Sequence, residues 1–419
     1  DVVFSAAIDG KVFARHGTTI DTRLTVIDKR ATGADEIASV ESEAVYHPIC
    51  ATTADLLNAV LTHCPQRHSP SPCPTSTALS APTASTRTNL QALRNAARKE
   101  TRALAEERAR HPFDDITTAP IDYLPKAWSQ PDGTLQDTVY EAYDLQAIRI
   151  DGAAEHPTAL VQSTAMASVP PPVPTYRPIL PKNLVQDGLL SAPQLESVIY
   201  AGNAHETHLK GWFKRGEIEG QLMAAAEGDE GAFRLRKGWF LGDGTGCGKG
   251  RQVAGIILDN WLKGRRRAVW VSKSDKLIED ARRDWIALGG RESDIVPLSK
   301  FRQGSDIRLP EGILFVTYAT LRSAEREGKA SRLDQVTSWL GAGFDGVIAF
   351  DESHAMANAA GEKSDRGDKK ASQQGLAGLA LQNAVPDARV LYVSATGATV
   401  VGNLAYASRL GLWGTGDFP

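Results

Sequence analysis

The chain has 419 residues, of which 42% are hydrophobic and 23% charged, with a formal net charge of −3. That is long enough for more than one domain and apolar enough for a real core, while a near-neutral balance leaves any nucleic-acid contact to local basic clusters. No apolar run approaches the ~20 residues of a membrane span and no signal peptide opens the chain, so a membrane partner is not expected.

In chain order, AAIDGKVFARHGTTIDTRLTVIDKR comes first, with His16 and Asp21 structural in role. Residues 36–63 form a short α/β segment. Residues 64–88, CPQRHSPSPCPTSTALSAPTASTRT, are a Pro/Ser/Thr-rich linker that cannot bury a core. His63, Cys64, His68 and Cys73 fit no common zinc spacing. The four cysteines, Cys50, Cys64, Cys73 and Cys247, show no paired framework, which suits a reducing cytoplasm. Asn89 to Arg110 reads as a mostly polar helix. A short strand-like run, Ala147 to Ile150, leads to SVPPPVPTYRPILP, whose prolines favour an extended strap. Residues 89–180 thus form a helix and connector, and the whole N-terminal region is expected to be mixed and partly disordered.

From 181 to 419 strands and helices alternate, the signature of an α/β lobe whose parallel sheet is covered by helices on both faces. The apolar run Gly238 to Leu241 opens it, and the helix Arg251 to Leu262 follows a glycine-rich loop, LGDGTGCGKG. Backbone N–H groups converge on a polyphosphate only where Cβ atoms do not obstruct, which Gly242, Gly244, Gly246 and Gly248 allow around Thr245. Lys249 reaches the β and γ phosphates, and the helix behind it adds its positive end. The loop departs from G-x-x-x-x-G-K-[ST] at Asp243 and at Gly250, the latter removing the hydroxyl that holds Mg²⁺. Arg265-Arg266-Arg267 reads as a solvated turn. FDGVIAFDESH, residues 344–354, is a buried strand, Val347 to Phe350, that delivers Asp351 for Mg²⁺ and Glu352 to polarise the attacking water. The strand Arg389 to Val393 ends in Ser394-Ala395-Thr396, whose hydroxyls can couple the acidic segment to the rest of the molecule.

These runs resemble motifs I, II and III of superfamily 2 helicases. More closely, LSAPQLESVIYAGNAHE, GDGTGCGKGRQVAGIILDN, SRLDQVTSWLG, DESHAMANA, ARVLYVSATGA and LAYASRLGLWG resemble the strawberry notch family, which also carries GKG in place of GK[ST]. The resemblance implies a RecA-like P-loop NTPase lobe over 181–419 that binds ATP and Mg²⁺. It implies that Gln194 reads the adenine edge, and that Ser272, Lys273 and Thr317, at the ends of the strands Ala268 to Val271 and Ile313 to Val316, meet a DNA sugar-phosphate track.

Residues 1–35 resemble the closing hairpins of an adenine-type DNA methyltransferase domain, fused ahead of the helicase in some phage, plasmid and bacterial members. No Asn-Pro-Pro-aromatic or Asp-Pro-Pro-aromatic tetrapeptide is present to assign methyl transfer. The resemblance also implies a downstream second RecA-like lobe bearing an arginine finger. The expected function is the first lobe of an ATP-dependent DNA helicase or translocase in DNA modification or anti-restriction. A nucleotide-gated regulatory scaffold in transcriptional control is the alternative, separated from it by DNA-stimulated ATPase.

Overall fold

Strands with apolar centres organise the larger part of this protein. The computed structural model describes residues 2–8, 22–27, 49–50, 52–63, 110–129, 139–216, 222–323, 330–359, 370–396 and 401–412, and the chain divides into two units, residues 1–97 and 98–419.

In the smaller unit, strands Val2–Ile8 and Thr22–Ile27 pair antiparallel. Ile49–Cys50 joins the first of them in parallel, so the segment read as 36–63 shares a sheet with the one read as 1–35. The helix Thr53–His63 follows. Its start is fixed reciprocally, Thr52 Oγ1 accepting from the Asp55 amide at 3.1 Å and the Asp55 carboxylate accepting from the Thr52 amide at 3.0 Å. The linker 64–88 and the helix expected from Asn89, apart from Arg110, lie outside the described residues.

The main sheet of the larger unit has six strands: β1 (Trp239–Leu241), β2 (Arg267–Ser272), β3 (Ile295–Pro297), β4 (Gly312–Thr317), β5 (Val347–Asp351) and β6 (Arg389–Val393). Their order across the sheet is β1-β6-β5-β2-β4-β3, and every adjacent pair is parallel. Helices α1 (Ala192–His205), α2 (Lys249–Leu262), α3 (Ile278–Ile286), α4 (Arg332–Leu340) and α5 (Gln373–Ala384) cover it. Strand alternation decides which face each residue serves. Ala268 and Trp270 of β2, with Leu391 and Val393 of β6, pack with Val198 of α1, Ile257 of α2 and Trp285 of α3. Val269, Val271, Val390 and Tyr392 pack with Val336 of α4 and Leu381 of α5. Burial on both faces is why the strands read as continuous apolar runs rather than alternating ones.

The proline-rich strap, residues 168–181, runs over α1. An extended strap leaves its carbonyls without ladder partners, and tyrosine hydroxyls take them up. The Tyr123 hydroxyl donates to the carbonyls of Pro174 at 2.9 Å and Tyr176 at 3.0 Å, and the Tyr200 hydroxyl to that of Pro172 at 2.8 Å. The strap ends as strand Ile179–Pro181, antiparallel to Thr118–Pro120.

The arginine triplet is more engaged than a solvated turn requires. Arg265 pairs with Asp345 at 2.8 Å, Arg266 with Asp114 at 2.6 Å and Glu311 at 3.2 Å, and Arg267 donates to the Trp339 carbonyl at 2.5 Å.

Arg409, fully buried, donates to the main-chain carbonyls of Arg236, Pro386, Val385 and Gln382, tying the approach to β1 to the end of α5. Burial lowers its pKa to about 10, which leaves it cationic at neutral pH. Arg409→Met should therefore lose on the order of 3 to 5 kcal/mol, because the carbonyls stay buried without donors. Urea denaturation at pH 7 measures it, and a loss under about 1 kcal/mol would show that the cage is replaceable by packing.

Candidate nucleotide site at the C-terminal edge of the sheet

Because all six strands are parallel, their C-terminal ends, and the chemistry they carry, meet on one edge. The glycine-rich loop leaves β1 and enters α2. Gly246 has φ +95° and Gly248 φ +68°, left-handed conformations that glycine adopts freely. A Cβ built on Gly244 or Gly246 would meet nothing within 4 Å, so the loop's outer side is open around exposed Thr245. Lys249 is the first residue of α2, and its ammonium donates to the carbonyls of Asp243 and Gly244, each at 3.0 Å. An open glycine crest with a lysine turned over it fits a polyphosphate.

Both departures from the usual loop pattern have partners. The Asp243 carboxylate accepts from Gln252 Nε2 at 2.8 Å, and the same amide nitrogen donates to the Cys247 carbonyl at 3.1 Å. At Gly250 a Cβ would stand 2.2 Å from Asp284 Oδ2, so a carboxylate from α3 fills the space where a serine or threonine side chain would go.

Gln194 lies beside the loop, 8% exposed, and both ends of its amide are engaged. Oε1 accepts from the Ser191 amide at 3.0 Å, and Nε2 donates to the Cys247 carbonyl at 3.3 Å. A Cβ on Gly248 would come within 2.4 Å of that nitrogen. The Cys247 thiol is partly buried, which raises its pKa.

Across the edge, β5 ends in Asp351. Its carboxylate accepts from Ser272 Oγ at 3.0 Å and from the Glu352 amide at 3.0 Å. Burial raises its pKa, against the opposing hydrogen bond from Ser272. Two carboxylate oxygens offer about four acceptor positions, so capacity for a cation remains. Glu352 has φ +51°, an uncommon conformation for a residue with a side chain. His354 Nδ1 lies 3.2 Å from the Glu352 carboxylate and 3.1 Å from Ser394 Oγ, which in turn lies 3.1 Å from Thr396 Oγ1. Thus the acidic pair and the serine-threonine step form one connected polar chain.

Ser272 and Thr317 both turn inward. Ser272 has no exposure, and Thr317 Oγ1 caps the short helix Tyr318–Leu321 by accepting from the Thr320 amide at 3.1 Å. Lys273, one residue beyond β2, is exposed.

The Tyr318 hydroxyl, next along the chain from Thr317, donates to the Asp351 carbonyl at 2.9 Å, and sequence reasoning missed Gln252 and Asp284. It also missed Glu196 of α1, 7% exposed and hydrogen-bonded by the Tyr143 hydroxyl. Burial pushes the Glu196 carboxyl up to about 7, and the negative charge of Asp243 adds to that rise. For Gln252 and Glu196 the one available signal was a polar residue in a largely apolar helix.

Residues 155–419 match the family model described as P-loop containing NTP hydrolase pore-1, and the chain belongs to that family. It is 38% identical over 280 residues to protein strawberry notch homolog 1 of Gallus gallus, covering 65% of this chain and 20% of that protein. To protein strawberry notch homolog 2 of Mus musculus it is 41% identical over 264 residues, 62% of this chain and 17% of that one. The chain therefore spans about a fifth of the length of the curated relatives it matches. Among solved structures, the Sulfolobus solfataricus SWI2/SNF2 ATPase core in complex with dsDNA is similar at 14% identity, over 41% of this chain and 30% of that chain, with a TM-score of 0.29.

The Glu196 carboxyl generates a pH prediction. Its folded pKa, about 7, lies above the ordinary 4.5, so the fold prefers the proton. Its favourable contribution is complete below the ordinary value and is lost as pH rises through about 7. Glu196→Gln should flatten the fall in stability across that window and melt above the parent at pH 8, by about 1 kcal/mol or more. Parallel stability profiles for the two proteins would contradict the assignment.

Proposed function

We propose that this member of the P-loop containing NTP hydrolase pore-1 family is the ATP-binding first lobe of a DNA helicase or translocase. The observation that carries the reading is the gathering, on one edge of one parallel sheet, of an open glycine loop with Lys249, the Asp351-Glu352 pair, and a polar path through His354 to Ser394 and Thr396. Gly244, Thr245, Gly246 and Gly248 cradle the triphosphate with backbone N–H groups, and Lys249 leaves its two carbonyls for the β and γ phosphates. Gln194 holds the loop and adjoins the adenine side. Gly250 opens α2 without a hydroxyl, so Asp351 is the protein's ligand for Mg²⁺, which such sites hold through one or two carboxylates plus phosphates and water. When bound, that cation neutralises charge on the phosphates. Glu352, fixed by its strained backbone, orients the attacking water and takes its proton.

Movement follows from the polar path. Loss of the γ-phosphate changes what Glu352 and His354 contact, and Ser394 and Thr396 pass that change to the lobe's far side. Lys273 touches a DNA backbone, with Ser272 and Thr317 bracing the strand ends behind it. In this reading the phosphoryl group is closed from the opposite side by a second RecA-like lobe of the same polypeptide. A methyltransferase-like domain precedes the lobe, and the whole acts in the cytoplasm in DNA modification or anti-restriction.

Lys249→Ala should lower affinity for a non-hydrolysable ATP analogue by on the order of tenfold to a hundredfold while the fold survives. Calorimetry measures this, and unchanged affinity sinks the phosphate assignment.

Asp351→Asn should weaken only the Mg²⁺-dependent part of binding. Glu352→Gln should leave binding intact and lower hydrolysis by the full-length polypeptide by about 10²-fold or more. This chain alone should bind ATP and DNA weakly and hydrolyse slowly, with the second lobe restoring DNA-stimulated turnover. Nucleotide-dependent protein binding without DNA stimulation would instead make it a regulatory scaffold.

A further inference from the structure

The last two glycines of the loop are each overlaid by a polar side chain from another helix. Gln194 of α1 lies over Gly248, and Asp284 of α3 lies over Gly250. Asp284 is largely buried, its side chain 15% exposed, and its other carboxylate oxygen faces Arg251 Nε at 3.4 Å. Arg251 also donates through Nη1 to the Leu189 carbonyl at 3.1 Å, in the turn that leads into α1 and Gln194. The two cations that open α2 therefore diverge. Lys249 turns back over Asp243 and Gly244, whereas Arg251 reaches to Leu189, in the turn before the helix that carries Gln194.

We propose that Asp284 is a positioning residue of the nucleotide site, filling the space beside Gly250 and aligning the Arg251 guanidinium with the nucleoside end of a nucleotide whose phosphates lie at Lys249. The inference rests on the nucleotide-site reading above and extends it to a base-side contact. In the proposed function Gln194 lies at the adenine side, and Arg251 reaches the turn before its helix, where a planar guanidinium can stack on a purine face or bond the sugar. Held by a carboxylate and a carbonyl, that guanidinium loses less freedom on binding than a mobile one. The absent hydroxyl at 250 has the same cause, since a side chain there would evict the carboxylate that holds Arg251.

The test compares ATP with inorganic tripolyphosphate, which has the phosphates and lacks the nucleoside, by calorimetry on the full chain. Arg251→Ala and Asp284→Ala should each weaken ATP by about tenfold and leave tripolyphosphate within about twofold. Asp284→Asn, which keeps the volume and one acceptor, should fall between parent and Asp284→Ala. Gly250→Ser should weaken both ligands, and adding Asp284→Ala should recover tripolyphosphate binding without recovering ATP.

An equal loss of both ligands in Arg251→Ala and Asp284→Ala, as a merely structural role would give, overturns the proposal, and so does unchanged ATP affinity. If Asp284→Ala fails to fold, Arg251→Ala and Asp284→Asn decide it. A parent chain that binds neither ligand sinks the phosphate-loop reading itself along with this one.

Discussion

The Cys247 carbonyl is the point on which the site's geometry turns. A main-chain acceptor at the mouth of a glycine-rich turn has no helix or ladder partner, and unpaired it would favour a different loop. Here it receives Gln194 Nε2 at 3.3 Å and Gln252 Nε2 at 3.1 Å, one amide from α1 and one from α2. Two helices distant in sequence are thereby fixed to the same atom. The Gln194 amide approaches more closely than a residue with a side chain at 248 would permit, its Nε2 lying 2.4 Å from where a Cβ on Gly248 would stand.

The acidic end of the site obeys a similar constraint. Asp351 is anchored at both its carboxylate, by Ser272, and its carbonyl, by Tyr318. With the strand end held, the backbone bends sharply enough to place Glu352 at φ +51°. Such a conformation costs of order 1 to 3 kcal/mol and persists only where its surroundings over-determine it. What the cost secures is divergence: two adjacent carboxylates that would otherwise lie alternately across a strand are turned to serve the same edge. Glu352 can then share His354 with Ser394 while Asp351 stays with β2.

The strand ends were legible because a parallel sheet buried on both faces leaves a plain trace: Val347 to Phe350 and Val390 to Val393 carry no charged residue, and each stops at a hydrophilic step. The loop was legible because glycine spacing is a direct demand of backbone geometry. What stayed hidden were partners set by helix packing. Asp284 looks like one more charge in an Asp/Arg-rich helix, and nothing in its neighbourhood says that it lies against Gly250 across two helices. Ser272 and Thr317 stand at strand ends, where a hydroxyl can face outward or turn inward, and here both turn inward. Sequence fixes the strand's end and leaves the rotamer to its neighbours.

Carboxylates gather around the proposed phosphate loop. Asp243 sits in the loop itself, Asp284 flanks it, and Glu196 lies near enough to feel Asp243. Three uncompensated negative charges would oppose a triphosphate at close range. Each is answered differently. Asp284 faces Arg251, so its charge is locally balanced. Asp243 accepts from the neutral Gln252 amide while its own carbonyl receives the Lys249 ammonium, so the cation lies in the loop beside it. Glu196 is buried under Tyr143 with a pKa near 7, so around neutral pH a substantial fraction of it carries no charge. If the lysine moves outward onto phosphate, Asp243 loses that nearby cation and a protonated Glu196 becomes the less repulsive neighbour. In the nucleotide-binding reading proposed above, the negative charge that Asp243 then presents favours the protonated form of Glu196.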